Sequence, residues 1–170
     1  TDPEPLQQVN RTHVRYRGRT LSYFAGCDYL RLSSHPAVLS ALREGARKYG
    51  LNVAASRLTT GNHKLYAELE AALKKFFGAP SALLLQSGYL TNMAVAQALA
   101  GEFSHVLIDE KAHPSLLDAA KQFDCPILKF THRDPDDLAR SARRCGQHAH
   151  LIVLTDGMFS HDGSIAPLRA

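Results

Sequence analysis

Apolar positions change period along the chain, and the changes mark its organisation. In the first thirty residues Val14, Tyr16, Leu21 and Tyr23 alternate with charged positions around Arg17-Gly18-Arg19, which predicts a small hairpin. Ser33-Ser34-His35-Pro36 then supplies capping side chains and a first-turn proline, and Gly50 supplies a stop. Between them Val38, Leu39, Leu42, Ala46 and Tyr49 share one helical face. Residues 51–62 have no period and read as a loop. A second amphipathic helix carries Leu65, Leu69, Ala72, Leu73 and Phe76 on one stripe and ends at Gly78. From residue 80 the texture changes. Short runs apolar on both faces, at 82–85, 105–108, 126–130 and 151–154, alternate with helical patterns near 89–100, 114–123 and 135–145.

Strict alternation of such runs with helices predicts an α/β fold, a mostly parallel sheet covered by helices. The helix near 89–100 is apolar nearly all round, so it is expected to be buried within the layers. Residues 1–35 are read as an N-terminal arm with a small hairpin, 36–79 as a helical segment, and 80–170 as part of a larger α/β domain. Ile165-Ala166-Pro167-Leu168 has the look of a helix start with proline at its first position, which gives the expectation of an incomplete domain with more sequence to follow.

Composition narrows the class. A chain of 170 residues with 45% hydrophobic and 21% charged residues is neither disordered nor fibrous. No apolar stretch of about 18 residues is present, so no membrane span is predicted. The net charge of +4 is a mild tilt. Its densest basic cluster, Arg140, Arg143 and Arg144, lies on one predicted helix and reads as a solvated face, with a site for an anionic cofactor or substrate as the other reading. With no Trp and no zinc spacing, nucleic acid is not an expected partner. Cys27, Cys125 and Cys145 are odd in number and widely spaced, which argues for a reducing, cytoplasmic compartment and against a disulfide framework.

The chemistry-bearing residues gather after the apolar runs. Ser87-Gly88-Tyr89 joins a predicted strand to a helix, where backbone N–H groups and the positive helix end suit a phosphate; a plain turn needing a small residue is the other reading. Asp109-Glu110-Lys111-Ala112-His113-Pro114-Ser115 follows the second run, so His113 is placed to reach a crevice at the strand ends, or to cap the helix. Thr155-Asp156-Gly157 through Ser160-His161-Asp162-Gly163 follows the fourth. Ser87, His113 and Asp156 invite a hydrolase triad, but no Gly-x-Ser-x-Gly elbow is present and their order matches no usual arrangement. His148 and His150 lack a third ligand at suitable spacing, and no metal is expected.

Together these residues resemble the α-oxoamine synthases, pyridoxal 5'-phosphate (PLP) enzymes of the fold-type-I aminotransferase superfamily. Asp28-Tyr29-Leu30 through His35-Pro36 is similar to the family's Asn-Asp-Tyr-Leu-Gly-Leu-x-x-His-Pro stretch. Ser56-Arg57 through Leu69-Glu70, Ser87-Gly88-Tyr89 with Asn92, Ala112-His113-Pro114-Ser115, and Thr155-Asp156-Gly157-Met158-Phe159-Ser160 resemble further family motifs in the same order. The resemblance covers about residues 20–170 and implies the N-terminal part of the large PLP-dependent transferase domain. It implies that Ser87, Gly88 and Tyr89 hold the cofactor phosphate, that His113 stacks on the pyridine ring, that Ser160 lies near its phenolic oxygen, and that Asp156 supports that loop. The family joins an amino acid to an acyl-CoA and builds its sites at a homodimer interface. Within the superfamily an aminotransferase or lyase reaction is the alternative; outside it, a non-catalytic binding or assembly fragment.

The departures shape the expectation as much as the matches. The family's Schiff-base Lys and the Asp that pairs with the pyridine nitrogen belong to later motifs, and none of Lys48, Lys64, Lys74, Lys75, Lys111, Lys121 or Lys129 stands in that context. By itself the chain is therefore expected to bind the cofactor weakly and to be inactive. Cys27 stands where the family has Asn, Asn52-Val53-Ala54-Ala55 replaces a glycine-rich run, and His161 replaces Met. The Arg that meets a substrate carboxylate could be Arg11, Arg15 or Arg17. In the superfamily the first strand is separated from the next three by strands made later, so residues 82–85 are expected to lack a neighbour within the chain, at a cost of about 1–3 kcal/mol for each unsatisfied buried group.

Overall fold

The computed structural model describes residues 4–169. It divides into two compact units, residues 1–72 and 73–170.

The first unit opens with an antiparallel sheet ordered β1 (Gln7–Gln8), β2 (His13–Tyr16) and β3 (Arg19–Ser22). The predicted hairpin is β2–β3. Arg17 and Gly18 turn it with φ of 48° and 72°, the left-handed pair that matches the twist of the strands. β1 is too short to leave a period in the sequence. Helix α1 (Pro36–Tyr49) begins where expected: His35 Nδ1 accepts the Ala37 N–H at 3.2 Å, and Gly50, at φ 77°, ends the helix by donating to the Ala46 carbonyl at 2.9 Å. Helix α2 (Lys64–Phe77) follows the irregular residues 51–62. Arg57 from that loop grips Glu70 with both guanidinium arms, at 2.7 and 3.2 Å, and lies over the Tyr66 ring. Such a fork holds the loop against the helix more firmly than a single lysine contact could.

The second unit holds a parallel sheet ordered β5 (Ile127–Phe130), β4 (His105–Asp109), β6 (Leu151–Leu154). Three helices accompany it: α3 (Gly88–Ala98), α4 (Pro114–Ala120), which runs on into a 3-10 turn at Lys121–Phe123, and α5 (Pro135–Arg144). As the central strand, β4 is enclosed, and Val106, Leu107 and Ile108 have no exposed surface. Val106 and Ile108 join Ala96 of α3 with Ala112, Ala119, Ala120 and Phe123 in one core. Small alanines on α3 and α4 let these helices pack closely.

Three expectations need correction. Residues 82–85 form no strand, and Leu83 is 74% exposed. No described strand runs beside them, so their apolar character finds no ladder to join. Helix α3 is not enclosed on all sides: Ala96 is buried, but Leu90 and Val95 are about half exposed, because the covered face is the one that packs on α4, the 3-10 turn after it and the core of β4. Pro167 starts no helix among the described residues; the Leu168 N–H closes a tight turn on the Ala166 carbonyl.

Other readings stand. On α5, Arg140 lies beside Asp137 at 3.2 Å and Asp134 at 3.7 Å on a half-exposed face, which accounts for this arginine of the basic cluster without a ligand. Cys27, Cys125 and Cys145 are unpaired thiols. No helix among the described residues is long and apolar enough to cross a membrane.

Candidate active site

The polar residues converge at the carboxyl ends of β4 and β6, which are hydrogen-bonded neighbours in the sheet. Strand order brings residues 110–113 beside residues 155–163, segments more than forty positions apart. The His113 backbone N–H donates to Asp156 Oδ2 at 2.8 Å and ties the two loops together. Around this bond lies a hollow of about 350 Å³ lined by Lys111, His113, Asp156, Phe159, Ser160 and His161, among others. Parallel strands end here with backbone groups and loop side chains facing outward, the usual place for a ligand in an open α/β sheet.

His113 also caps α4. Its Nδ1 accepts the Ser115 N–H at 3.2 Å and lies 2.7 Å from Ser115 Oγ. Asn92 Nδ2 donates to the same hydroxyl oxygen at 2.8 Å, so the hydroxyl proton turns to His113. With Nδ1 accepting, the ring proton sits on Nε2. Capping and site roles therefore coincide in one side chain. The hydrolase triad does not form: Asp156 bonds the His113 backbone rather than its ring, and Ser115 occupies Nδ1.

Helix α3 approaches from one side. Ser87 Oγ accepts the Leu90 N–H at 3.2 Å, and the Thr91 N–H reaches the Ser87 carbonyl at 3.0 Å. The amides of Gly88 and Tyr89 are the first-turn donors that remain. A Cβ on Gly88 would meet nothing within 4 Å, so the glycine leaves open space at the helix start. Ser87 and Gly88 do not line the hollow. Their helix reaches the site through Asn92, which bonds Ser115, and through the Tyr89 ring, whose centroid is 6.4 Å from that of His113. The Tyr89 hydroxyl donates to Asp118, which pushes the phenol above its ordinary pKa. Asp118 is held low by Lys121 first and by Tyr89 second.

One pairing escaped the sequence reading, that of Asp109 with His132. Asp109, the last residue of β4, is 1% exposed and accepts from the Lys111 N–H at 2.9 Å, the Arg133 N–H at 3.1 Å and His132 Nδ1 at 2.9 Å. Burial pushes this carboxyl upward, but the Lys111 amide, the His132 ring and the Arg133 amide together bring it below the ordinary value. His132 packs edge-on against Phe159 with centroids 4.3 Å apart. The signal was present as Thr131-His132-Arg133, which follows the third apolar run as the other polar clusters follow theirs. Among the described residues the grouping with metal-ligand spacing is His132, His161 and Asp162, and it does not include His148 or His150. Asp162 is lowered to about 2 because the Ser164 N–H and hydroxyl stabilise its charge, with His161 adding to the effect.

The arginine alternatives fall in the first unit. Arg11 reaches Ser34 Oγ at 3.2 Å and the Arg31 carbonyl at 3.4 Å in a polar hollow beside Asp28, whereas Arg17 pairs on the surface with Glu4.

This sheet, its helices and its strand-end loops are the N-terminal part of the PLP-dependent transferase fold. Along nearly all its length the chain resembles the N-terminal half of the α-oxoamine synthases. It is 42% identical to the 8-amino-7-oxononanoate synthase of Nitrosomonas europaea over 163 residues, 96% of the chain and 42% of that protein. It is equally identical to the enzyme of that name from Thioalkalivibrio sulfidiphilus over 151 residues, 89% of the chain and 38% of that protein. Among solved structures, serine palmitoyltransferase from S. paucimobilis, with PLP and myriocin bound, superposes with a TM-score of 0.88 at 29% identity, covering 99% of the chain and 43% of the enzyme. The 8-amino-7-oxononanoate synthase of Francisella tularensis superposes with a TM-score of 0.66 at 26% identity, covering 85% of the chain and 39% of that enzyme. No family model matches the sequence. The chain spans about two fifths of the length of these relatives.

Proposed function

We propose that the full-length protein is a PLP-dependent acyltransferase that condenses an amino acid with an acyl-CoA, working as a cytoplasmic homodimer. The observation that carries this reading is the 2.8 Å bond from His113 to Asp156 at the hollow where β4 and β6 end. It puts an imidazole, a carboxylate and the Ser160 hydroxyl at one place, beside a helix start with two donor amides. That donor set fits PLP: the amides of Gly88 and Tyr89, with Ser87, suit the phosphate; His113 suits the pyridine face; and Ser160 suits the phenolic oxygen.

When bound, PLP supplies an electron sink for charge developing at the amino-acid α-carbon. The residues of this chain bind and orient. Ser115 fixes His113 with its proton on Nε2, Asp156 fixes the position of the His113 backbone, and Phe159 anchors the loop that presents Ser160. None of the lysines stands in the family's Schiff-base context, so the 170-residue chain alone binds PLP weakly and does not turn over. A helix N-terminus gives only about 0.3–1 kcal/mol per charge contact, rising to roughly 2 when partly buried.

The test is an assay of the full-length protein with PLP, a panel of amino acids and acyl-CoA thioesters, following thiol release. Amino-acid-dependent release supports the reading. Keto-acid exchange without thiol release would make it an aminotransferase, and failure to retain PLP through gel filtration would leave a binding or assembly role.

A further inference from the structure

His132, His161 and Asp162 lie outside the roles assigned above, and their arrangement has a chemistry of its own. Donor atoms of all three lie within 4.8 Å of one another. They come from the loops after β5 and β6, on opposite sides of the central strand, so the fold and not local sequence brings them together.

The decisive feature is the orientation of His132. Asp109 is a buried carboxylate that already receives two backbone N–H groups, and it faces His132 Nδ1 at 2.9 Å. An anionic acceptor there requires Nδ1 to carry the ring proton. The lone pair is then on Nε2, which points toward Ser164 Oγ at 3.3 Å and the His161–Asp162 pair. Phe159 packs against the His132 ring and prevents it from turning. A carboxylate that takes the proton on one ring nitrogen and aims the other outward is the arrangement that orients a histidine for metal binding and raises its basicity. His161 Nε2 lies 3.1 Å from Asp162 Oδ2, and both side chains are nearly half exposed, so they can turn toward a shared ion.

We propose that His132 Nε2, His161 and Asp162 form a site for a borderline divalent cation of the Zn²⁺ type, with Asp109 as the positioning residue behind His132. Two imidazoles and one carboxylate suit Zn²⁺ and not the all-oxygen ions, and three protein ligands leave a fourth position for water. Ligand bonds of about 2.0–2.1 Å place tetrahedral donors roughly 3.3 Å apart, which rotation of the two exposed side chains can supply. A bound ion would brace residues 159–164, and with them Ser160; that consequence, unlike the site itself, rests on the cofactor reading above.

The experiment is calorimetric titration of the tag-free full-length protein with Zn²⁺, paired with visible and near-ultraviolet spectra of the Co²⁺ form. The expected result is one site whose affinity falls at least tenfold in His161→Met and in Asp162→Asn. Both positions are exposed, so these variants report on binding and not on folding. Asp109→Asn, checked by circular dichroism, should weaken binding by about 10–100-fold with all three ligands retained. Absence of Zn²⁺ binding at micromolar concentration overturns the site. So does unchanged affinity in His161→Met, which would leave His161 and Asp162 a surface ion pair. A thiolate-type Co²⁺ spectrum would place the ion on a cysteine and overturn it equally.

Discussion

The backbone N–H of His113 donates to the carboxylate of Asp156 at 2.8 Å, across 43 residues of chain. The bond does not touch the imidazole. It fixes where the ring is rooted, between a helix cap on one side and the loop after β6 on the other. Replacing Asp156 with Ala should therefore cost about 1 kcal/mol, the net worth of one partly exposed bond. Asn, which keeps an acceptor oxygen, should cost less. Urea denaturation of both variants checks the order. In the full-length protein both should weaken PLP retention, with Ala the worse; equal affinity for wild type and Ala would show that the tie does not serve the site.

Ser115 offers a sharper probe of His113 itself. It is 2% exposed and joins Asn92 to His113 Nδ1. Ser115→Ala leaves the Asn92 amide without its acceptor and should cost about 1–3 kcal/mol. It also removes the hydroxyl that holds the ring proton on Nε2. Nitrogen NMR of the histidine rings should show His113 as the Nε2–H tautomer in the wild type; in the variant the residue-115 N–H alone favours that form, and the Nδ1–H tautomer should become detectable beside it.

These links show where the sequence was legible and where it was not. The hairpin, α1, α2 and the alternating elements from residue 105 onward carry their own periods and caps, and they form as read. Residues 82–85 have the composition of a buried strand, but a strand is a property of two chains of backbone, and these residues join neither sheet among the described residues. Helix α3 misled for a related reason. Its apolar surface on all sides was read as burial, yet only the side toward α4, the following 3-10 turn and β4 is covered. That His113, Asp156 and Ser160 come together was legible because polar clusters at strand ends stand out against apolar runs. His132 was not, because its meaning depends on Asp109, a residue that looks like the end of a strand until the sheet order sets it beside the next loop.

Acid should destabilise the second unit in a defined window. Asp137 accepts the Thr131 N–H at 2.7 Å and lies 3.2 Å from Arg140; Thr131 first, through its N–H and then its side chain, and Arg140 after it hold its pKa below the ordinary value. Asp109 is likewise lowered, against the effect of its burial. A carboxyl whose folded pKa is depressed stabilises fully above its unfolded value of about 3.9 and loses that contribution as pH falls through the folded value. Stability should thus be flat with respect to these groups above about pH 5 and fall below about pH 4. Asp137→Asn should lower the urea midpoint at neutral pH and make the acid fall shallower. An acid limb as steep as that of the wild type would show that Asp137 contributes nothing to it.

Phe159 should be the most sensitive position in the loop after β6. It is 1% exposed, the largest of the fully buried side chains among the described residues, although it lies in a loop and its neighbours Ser160 and His161 are exposed. The loop folds back on itself around it: the Phe159 N–H donates to the Ser164 carbonyl and the Gly163 N–H to the Phe159 carbonyl, each at 2.8 Å. The ring lies edge-on to His132 at 4.3 Å and closes one wall of the hollow. Phe159→Ala removes a buried aromatic where the surrounding sheet cannot collapse to fill the space, and should cost about 3–5 kcal/mol. Phe159→Leu keeps most of the volume and should cost no more than half as much. Urea denaturation measures both. Because the side chain meets the hollow from behind, Phe159→Leu should leave PLP affinity of the full-length protein within a few-fold of wild type, while Phe159→Ala releases the segment that presents Ser160 and should weaken it at least tenfold. A loss below about 1 kcal/mol for Phe159→Ala would mean that the loop is not packed as the buried ring requires.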